Sequence, residues 1–308
     1  MMEADWRLAK KTEALHIRAA MIQAIRGFFM GKNFLEVETP IRIPGPAPEA
    51  HIDAIPSDGW YLHTSPELCM KRLLAAGYPR IFQISRCFRG AERGFRHMTE
   101  FTLLEWYESG IDYWRMMEVC EELLIAVAHS LGHKGDMTYR GRKIIMRRPW
   151  ERLSLREAFR RHAPLSLEDA VERDRFDEIM VDTIEPNIGT EGPVFLYDYP
   201  VALGALARAK QTDPTVAERF ELYMGGLELA NAFSELTDAA EQRERFEREL
   251  TLRQTSGKAP YPMPEKFLHA LPAMTDSSGI ALGVDRLAMI FAGSESIDDV
   301  VAFTTEDL

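Results

Sequence analysis

Two segments of alternating side chains, separated by a charged stretch, constrain the fold of this chain most. Residues 81–89 and 101–107 have the period and the aliphatic and aromatic content of β-strands, and the eleven residues between them are rich in Gly, Arg and Glu. The pattern predicts a β-hairpin with a long charged loop. Alternation of side chains places four functional groups together across this hairpin. They are the guanidinium of Arg89, the carboxylate of Glu105, the phenol of Tyr107 and the phenyl ring of Phe101. A surface hairpin with paired charges would show the same pattern.

A second pair of strands is predicted in residues 220–235, around Gly225 and Gly226. This pair is unusually rich in carboxylates. Its polar and aromatic candidates for a site are Glu221, Glu228, Asn231, Phe233 and Glu235. Because Glu228 is out of parity with Asn231, we expect a β-bulge between them if both reach one site. Two carboxylates suit Mg²⁺ that bridges nucleotide phosphates, whereas the alternative is a solvated edge strand.

The last strand and helix also carry a candidate site. Residues 280–283 read as a strand that leads directly into a helix ending near Phe291. The junction Gly283-Val-Asp-Arg286 places Arg286 in the first helical turn, beside unpaired backbone amides. That position suits a phosphate or a nucleotide base.

The remaining pattern predicts helices and short strands around these segments. Helices are predicted over residues 13–30, 68–76, 114–131 and 239–253, a capped helix start at Ser154, and strands over residues 35–39 and 194–199. Hairpin-joined strands with helices between groups predict an α+β fold, with a mainly antiparallel sheet flanked by helices. No repeat or linker interrupts the sequence, so residues 1–308 are expected to form one domain.

The composition makes several classes of function improbable. A formal net charge of -11 is unusual for a protein that binds nucleic acid through its phosphates. The charged N-terminus and the lack of a long apolar run predict neither a signal peptide nor a membrane span, so we expect a cytoplasmic protein with no membrane partner. Three widely spaced cysteines predict no disulfide framework and no thiolate zinc site.

Read together, these segments resemble class II aminoacyl-tRNA synthetases. Arg86-Cys-Phe-Arg89 followed by His97, Glu100-Phe101 and Leu104-Glu105-Trp-Tyr107 is similar to motif 2 of that family, and Gly283-Val-Asp-Arg286 to motif 3. The first helix, its strand and Pro40 resemble motif 1. That resemblance implies the class II catalytic core and a homodimer formed by the motif 1 segment.

Finer residues resemble the lysyl group within this class. Ser65-Pro-Glu-Leu, Phe101-Thr-Leu-Leu-Glu-Trp-Tyr and Glu228-Leu-Ala-Asn-Ala-Phe-Ser-Glu235 are similar to lysyl-tRNA synthetases over nearly the whole chain. Only some dozen residues precede the first helix, so we expect no anticodon-binding domain. Ser65 and Ala281 resemble the stand-alone branch that joins (R)-β-lysine to a lysine of translation elongation factor P. This resemblance implies that acceptor, (R)-β-lysine or lysine as substrate, and no tRNA.

The resemblance also implies roles for single residues, with ATP and Mg²⁺ as cofactors. The catalytic residues would be Arg89 and Arg286. The ATP site would comprise Arg89, Gly90, Ala91, His97, Met98, Phe101, Glu228, Leu229, Gly283 and Arg286, with Phe101 and Arg286 stacked on either side of adenine. The amino-acid pocket would comprise Ser65, Pro66, Glu67, Glu105, Tyr107, Asn231, Phe233, Glu235 and Ala281. The Mg²⁺ ligands would be Glu221 and Glu228.

The charged loop departs from the family pattern at four positions. Gly90 and Ala91 stand where the family has Asn and an acid, and Met98 and Thr99 replace an Asn-Pro pair. Glu92 or loop backbone could then contact the adenine amine. Two other functions stay open from sequence: a truncated synthetase that charges tRNA, and a catalytically silent synthetase-like regulator. Retention of both arginines and both metal-binding glutamates favours an active ligase.

Overall fold

The computed structural model describes residues 6–308, which form ten α-helices and fourteen β-strands. The helices are α1 Trp6–Lys10, α2 Thr12–Gly31, α3 Glu67–Ala75, α4 Tyr113–Ser130, α5 Leu155–His162, α6 Leu167–Glu172, α7 Phe176–Ile179, α8 Ala239–Thr255, α9 Glu265–Ala270 and α10 Val284–Ala292. The strands are β1 Leu35–Glu36, β2 Arg42–Ile43, β3 Pro56–Ser57, β4 Trp60–Leu62, β5 Arg80–Phe88, β6 Glu100–Ser109, β7 Asp136–Tyr139, β8 Arg142–Ile145, β9 Glu151–Ser154, β10 Val194–Pro200, β11 Ala209–Lys210, β12 Asp213–Met224, β13 Leu227–Ser234 and β14 Ser277–Gly283. None of the helices within the described range is long and apolar enough to cross a lipid bilayer.

One large sheet organises the molecule. Its strand order is β1-β5-β6-β14-β13-β12-β10-β9, and β11 pairs with β12 as a ninth strand. Only the outermost pairs, β1 with β5 and β9 with β10, are parallel. All the central pairs are antiparallel. The predicted α+β fold with a mainly antiparallel sheet is therefore confirmed.

Helix α2 covers one face of this sheet because its apolar side chains recur one turn apart. Met21, Ile25 and Phe29 are each fully buried. The Phe29 ring stacks on that of Phe82 in β5, with 4.7 Å between the ring centroids. Helices α4 and α10 pack against α2 and complete the largest core of the molecule.

A separate apolar cluster covers the other face near β5 and β6. It joins Met70 and Leu74 of α3 to Phe246 of α8 and Phe267 of α9. Tyr107 of β6 belongs to the same cluster. Helix α3, which was predicted from its cap and apolar spacing, is thereby held against the strands that carry the candidate site.

Most of the predicted elements are confirmed, and three strand boundaries are wrong. The first strand of the pair predicted from residue 220 begins at Asp213, because it also pairs with β10 and β11. The strand predicted over residues 35–39 is only Leu35–Glu36, because Val37 adds a single further hydrogen bond, from its N–H to the Phe82 carbonyl (2.9 Å), before the chain leaves the sheet. The last strand begins at Ser277, earlier than residue 280. Ser277 and Ser278 are buried in the sheet, where Ser278 Oγ donates to the Phe233 carbonyl at 2.8 Å. The helix start at Ser154 is confirmed, since Ser154 Oγ accepts the Glu157 N–H at 3.3 Å.

The predicted bulge in β13 is confirmed. Leu222 of β12 is paired with Ala230, but the next residue, Tyr223, is paired with Glu228, so that Leu229 has no partner across the strands. The extra residue changes the face of the sheet from which the Glu228 side chain projects. A turn of two glycines, Gly225 and Gly226, closes this hairpin.

The turn provides a test of packing with a built-in control. Gly225 and Gly226 both have positive φ, 62° and 75°, so an alanine at either position pays a similar backbone cost. A Cβ at Gly225 would also lie 2.6 Å from the Tyr139 ring and 2.9 Å from Ile290, whereas one at Gly226 would have no atom within 4 Å. Gly225→Ala should therefore lower the free energy of unfolding by roughly 1 to 3 kcal/mol more than Gly226→Ala. Urea denaturation measures both, and equal losses would contradict this packing.

Candidate active site

Strand register assembles the centre of the site. Four residues on four adjacent strands are paired in one row across the sheet: Glu105 with Ala281, Ala281 with Asn231, and Asn231 with Glu221. Residues paired in one row project from the same face. Three polar groups therefore flank one methyl group along a line across β6, β14, β13 and β12.

A cavity of about 470 Å³ opens above this row. Most of the predicted ATP-site and metal-site residues line it: Arg89, His97, Met98, Phe101, Glu221, Glu228, Leu229, Gly283 and Arg286. Asn231 and Ala281, predicted for the amino-acid pocket, line it as well. The side chains that the sequence suggested would meet at one place are thus brought together by the fold. Their roles stay predictions.

Four arginines line this cavity, and two of them, Arg89 and Arg286, are predicted site residues. Arg89 follows β5, and its guanidinium lies over the Phe101 ring, 5.1 Å from the ring centroid. Its Nε atom is buried and has no hydrogen-bond partner within residues 6–308. Arg89 therefore retains a free donor that fits a phosphate or carboxylate oxygen.

Arg286 is held at the start of α10 by contacts on two sides. It donates from Nη1 to the Glu228 carbonyl at 2.8 Å, and its Nη2 lies 2.6 Å from Nε2 of His97. Burial, together with the charge of Arg286, lowers the pKa of His97. A neutral His97 ring can accept the hydrogen bond from Arg286, which fixes the direction of the guanidinium.

The two acids predicted as Mg²⁺ ligands face the same cavity. Glu221 accepts hydrogen bonds from the hydroxyls of Tyr199 (2.6 Å) and Tyr223 (2.7 Å) and pairs with Arg219 at 2.5 Å. Burial, opposed by Arg219 and reinforced by Glu228, raises the pKa of Glu221. Within the described part of the chain, no group of three or more His, Cys, Asp or Glu side chains is placed to hold a metal. Two carboxylates still fit Mg²⁺, which is often held by one or two acids together with substrate phosphates.

The predicted amino-acid pocket adjoins the cavity and is strongly acidic. Glu105 is almost fully buried and accepts hydrogen bonds from Ser65 Oγ (2.7 Å) and from the Tyr107 hydroxyl (2.9 Å). Burial and the charge of Glu67 raise the pKa of Glu105 to about 7. Ser65, Pro66 and Glu67 line a smaller cavity of about 20 Å³ at the start of α3.

Lys71 is a buried cation in this pocket that sequence reasoning missed. Its ammonium lies 2.6 Å from Glu67 and 2.5 Å from Glu235, and 4.9 Å from the centroid of the Phe233 ring. Although burial opposes the charged form, Glu235 and Glu67 raise the pKa of Lys71. The spacing of Glu67 and Lys71, one helical turn apart, was the available signal.

Two predicted ATP-site residues lie away from the cavity. Gly90 donates its N–H to the Asp53 carbonyl at 2.5 Å, and neither Gly90 nor Ala91 lines the cavity. Ala91 is exposed and has a left-handed backbone with φ 61°. Glu92, the next residue, does line the cavity. It is the acid closest in sequence to the position where the family pattern is broken.

Removing the buried ammonium of Lys71 should destabilise the fold. Lys71→Met leaves Glu67 and Glu235 buried without a cation, which should lower the free energy of unfolding by about 3 to 5 kcal/mol at pH 8. Arg72→Met removes the same charge one residue later, from a side chain exposed to solvent, and should cost much less. Urea denaturation at fixed pH compares them. Similar losses would mean that Lys71 is not a structural counter-charge.

Known proteins are similar in sequence to nearly the whole of this chain. The family model described as tRNA synthetases class II (D, K and N) matches residues 3–307. A Salmonella gallinarum protein named elongation factor P–(R)-β-lysine ligase is 40% identical over 321 aligned positions, which cover 98% of each chain. Proteins of the same name from Salmonella paratyphi B and Salmonella schwarzengrund are 38% identical over 336 aligned positions, also with 98% of each chain covered. The chain belongs to the class II aminoacyl-tRNA synthetase family, in its aspartate, lysine and asparagine group.

Proposed function

We propose that this enzyme activates (R)-β-lysine with ATP and joins it to a lysine side chain of translation elongation factor P. The observation that carries the proposal is the adjacency of two unlike spaces. One is a cavity with free guanidinium donors, and the other is a buried pocket with three carboxylates, Glu67, Glu105 and Glu235. An amino acid with two ammonium groups and one carboxylate matches this division of charge. The names of relatives that share about two fifths of its sequence support the same substrate and acceptor.

The reaction needs two transfers at one centre. The substrate carboxylate attacks the α-phosphorus of ATP, and pyrophosphate leaves with the electrons of the broken P–O bond. The acceptor lysine amine, after losing its proton, then attacks the acyl carbon, and AMP leaves as the amide forms. No covalent enzyme intermediate is required, so positioning and electrostatic stabilisation carry the rate.

The residues of the cavity suit these transfers. Arg89, with its free Nε donor, is proposed to hold the α-phosphate and the substrate carboxylate. Arg286, oriented by His97, is proposed to contact the nucleotide together with Phe101. Mg²⁺ held by Glu221 and Glu228 would supply positive charge to the phosphates.

Two small residues are proposed to favour the β-amino acid. Ala281 places a methyl group in the row between Glu105 and Asn231. The Ser65 hydroxyl donates a hydrogen bond to Glu105. In a β-amino acid the ammonium is one carbon further from the carboxylate. A methyl group and a hydroxyl at the junction of the two spaces can select for that difference, by roughly 1 to 3 kcal/mol.

A homodimer in the cytoplasm is the proposed state of the enzyme. Met30, Leu35 and Ile41, which follow one another from the end of α2 to the segment after Pro40, are 65%, 49% and 41% exposed. An exposed apolar strip of this kind suits a self-complementary interface. The net charge of -11 favours a protein acceptor over tRNA.

Activation and transfer assays test the function directly. The wild type should catalyse amino-acid-dependent exchange of pyrophosphate into ATP with (R)-β-lysine, and should then label elongation factor P but not tRNA. Arg89→Ala should reduce exchange by roughly a hundredfold or more while leaving the unfolding transition in place, because it removes phosphate stabilisation but no core packing. Normal exchange by this variant would refute the site. Charging of tRNA in preference to the protein would favour the truncated-synthetase alternative.

The dependence on pH should follow the buried carboxyl groups of Glu105 and Glu235. Burial raises their pKa values to about 7 and about 8, so both groups lose their charge as the pH falls from 8 to 6. An ammonium binds the ionised form. The KM for (R)-β-lysine should therefore rise as the pH falls through 7, by up to about tenfold per pH unit. The KM for ATP, measured in the same exchange assay, serves as the control, and a KM for the amino acid that is flat between pH 6 and 8 would contradict this role.

A further inference from the structure

Glu49 joins the two spaces of the site. It lies in the segment between β2 and β3, and its half-buried side chain lines both the 470 Å³ cavity and the 20 Å³ cavity beside Ser65 and Glu67. No other residue of the described chain lines both of these cavities.

The carboxylate of Glu49 has no partner. Within residues 6–308 it makes no hydrogen bond and no ion pair. Burial and the nearby charge of Glu67 raise the pKa of Glu49 to about 7, against the lowering effect of Arg89. Lys71 pairs with Glu67 and Glu235 and makes no ion pair with Glu49, so Glu49 has no cation of its own among the described residues. Arg219 also acts on Glu49, but its guanidinium bonds Glu221 and Asn231.

The backbone around Glu49 is held firmly by α8 from far along the sequence. Arg253, whose side chain is almost fully buried, donates to the carbonyls of Glu49 and Ile52, each at 2.9 Å, and pairs with Asp53 at 3.0 Å. Glu249 accepts the N–H of Ala50 at 2.8 Å. The unpartnered carboxylate is therefore fixed at the cavity wall by its own segment, and is not a side chain of a loose loop.

We infer that Glu49, together with Glu67, binds the amino group that lies next to the carboxylate of the amino-acid substrate. This inference rests on the proposed function. Glu49 and Glu67 line the same small cavity, and Glu49 has no ion-paired cation among the described residues, so a substrate ammonium between them would offset their repulsion. With the substrate carboxylate at Arg89, the nearer ammonium lies at the junction that Glu49 lines. The distal ammonium is left to Glu105 and Glu235.

The experiment compares two ligands that differ in that amino group alone. (R)-β-lysine is a 3,6-diaminohexanoate, and 6-aminohexanoate keeps the carboxylate and the distal ammonium but lacks the 3-amino group. Glu49→Gln keeps the size of the side chain and removes its charge. It should raise the KM for (R)-β-lysine in pyrophosphate exchange by roughly ten- to hundredfold, which is the usual effect of losing a hydrogen bond to a charged group. The inhibition constant of 6-aminohexanoate and the KM for ATP should stay unchanged.

A matched control separates contact from the general field of a nearby charge. Glu249→Gln removes a carboxylate that also acts on Glu49, but the new amide oxygen can still accept the Ala50 N–H. It should leave the KM for (R)-β-lysine close to that of the wild type. If Glu249→Gln reproduces the effect of Glu49→Gln, direct contact is refuted.

The outcomes that overturn the inference are distinct from failure of the proposed function. An unchanged KM for (R)-β-lysine in Glu49→Gln, or an equal weakening of 6-aminohexanoate, would overturn it. Normal activation with slow transfer to elongation factor P would place Glu49 on the acceptor step and would overturn it as well. If 6-aminohexanoate does not inhibit the wild type, the test is whether Glu49→Gln raises the KM for (R)-β-lysine without raising the KM for ATP. A wild type that activates no lysine isomer would instead refute the proposed function.

Discussion

The antiparallel register of β6, β14, β13 and β12 is the constraint on which the site depends. It fixes Glu105, Ala281, Asn231 and Glu221 in one row on one face of the sheet. A slip of one residue in any of these pairings would turn the members of the row on that strand to the opposite face. On the site face, β14 carries the small residues Gly279, Ala281 and Gly283, and at Gly279 even a Cβ would collide with Tyr107 and Glu235. Backbone pairing therefore sets the floor of the ligand space, while Glu49, His97 and Met98 line it from segments between strands.

Buried charge is the second organising element. Glu67, Glu105 and Glu235 are held near one another in a region of low dielectric, where isolated carboxylates are costly. Lys71 offsets part of that cost from inside the protein. Among residues 6–308, Glu105 has no ion-paired cation, so the proposed substrate ammonium would complete the charge balance of the pocket. Because unpaired buried charge destabilises the empty pocket, the pocket favours ligands that carry an ammonium group.

Sequence patterns predicted the parts of this arrangement that depend on local periodicity. Parity alone indicated the bulge at Leu229, because Glu228 and Asn231 could not otherwise face one site. The helix starts and the hairpins followed from cap residues and alternation. Lys71 was missed because a lysine on a short helix is usually solvated. Its burial is decided by Glu235, which reaches the pocket from just after β13, far along the chain. Glu49 could not be found locally at all, since α8 positions its backbone from about two hundred residues away.

The hydrogen bonds that Arg253 makes to the Glu49 segment also couple the pocket to α8. The segment that carries Glu49 is attached to the molecule largely by side chains of α8. Closing such a long stretch of chain is entropically expensive, so the position of this wall between the two spaces depends on the attachment of α8. By thermodynamic linkage, any ligand that needs this wall also tightens the attachment of α8, so occupancy of the pocket would be registered as slower amide exchange in a helix that touches no substrate.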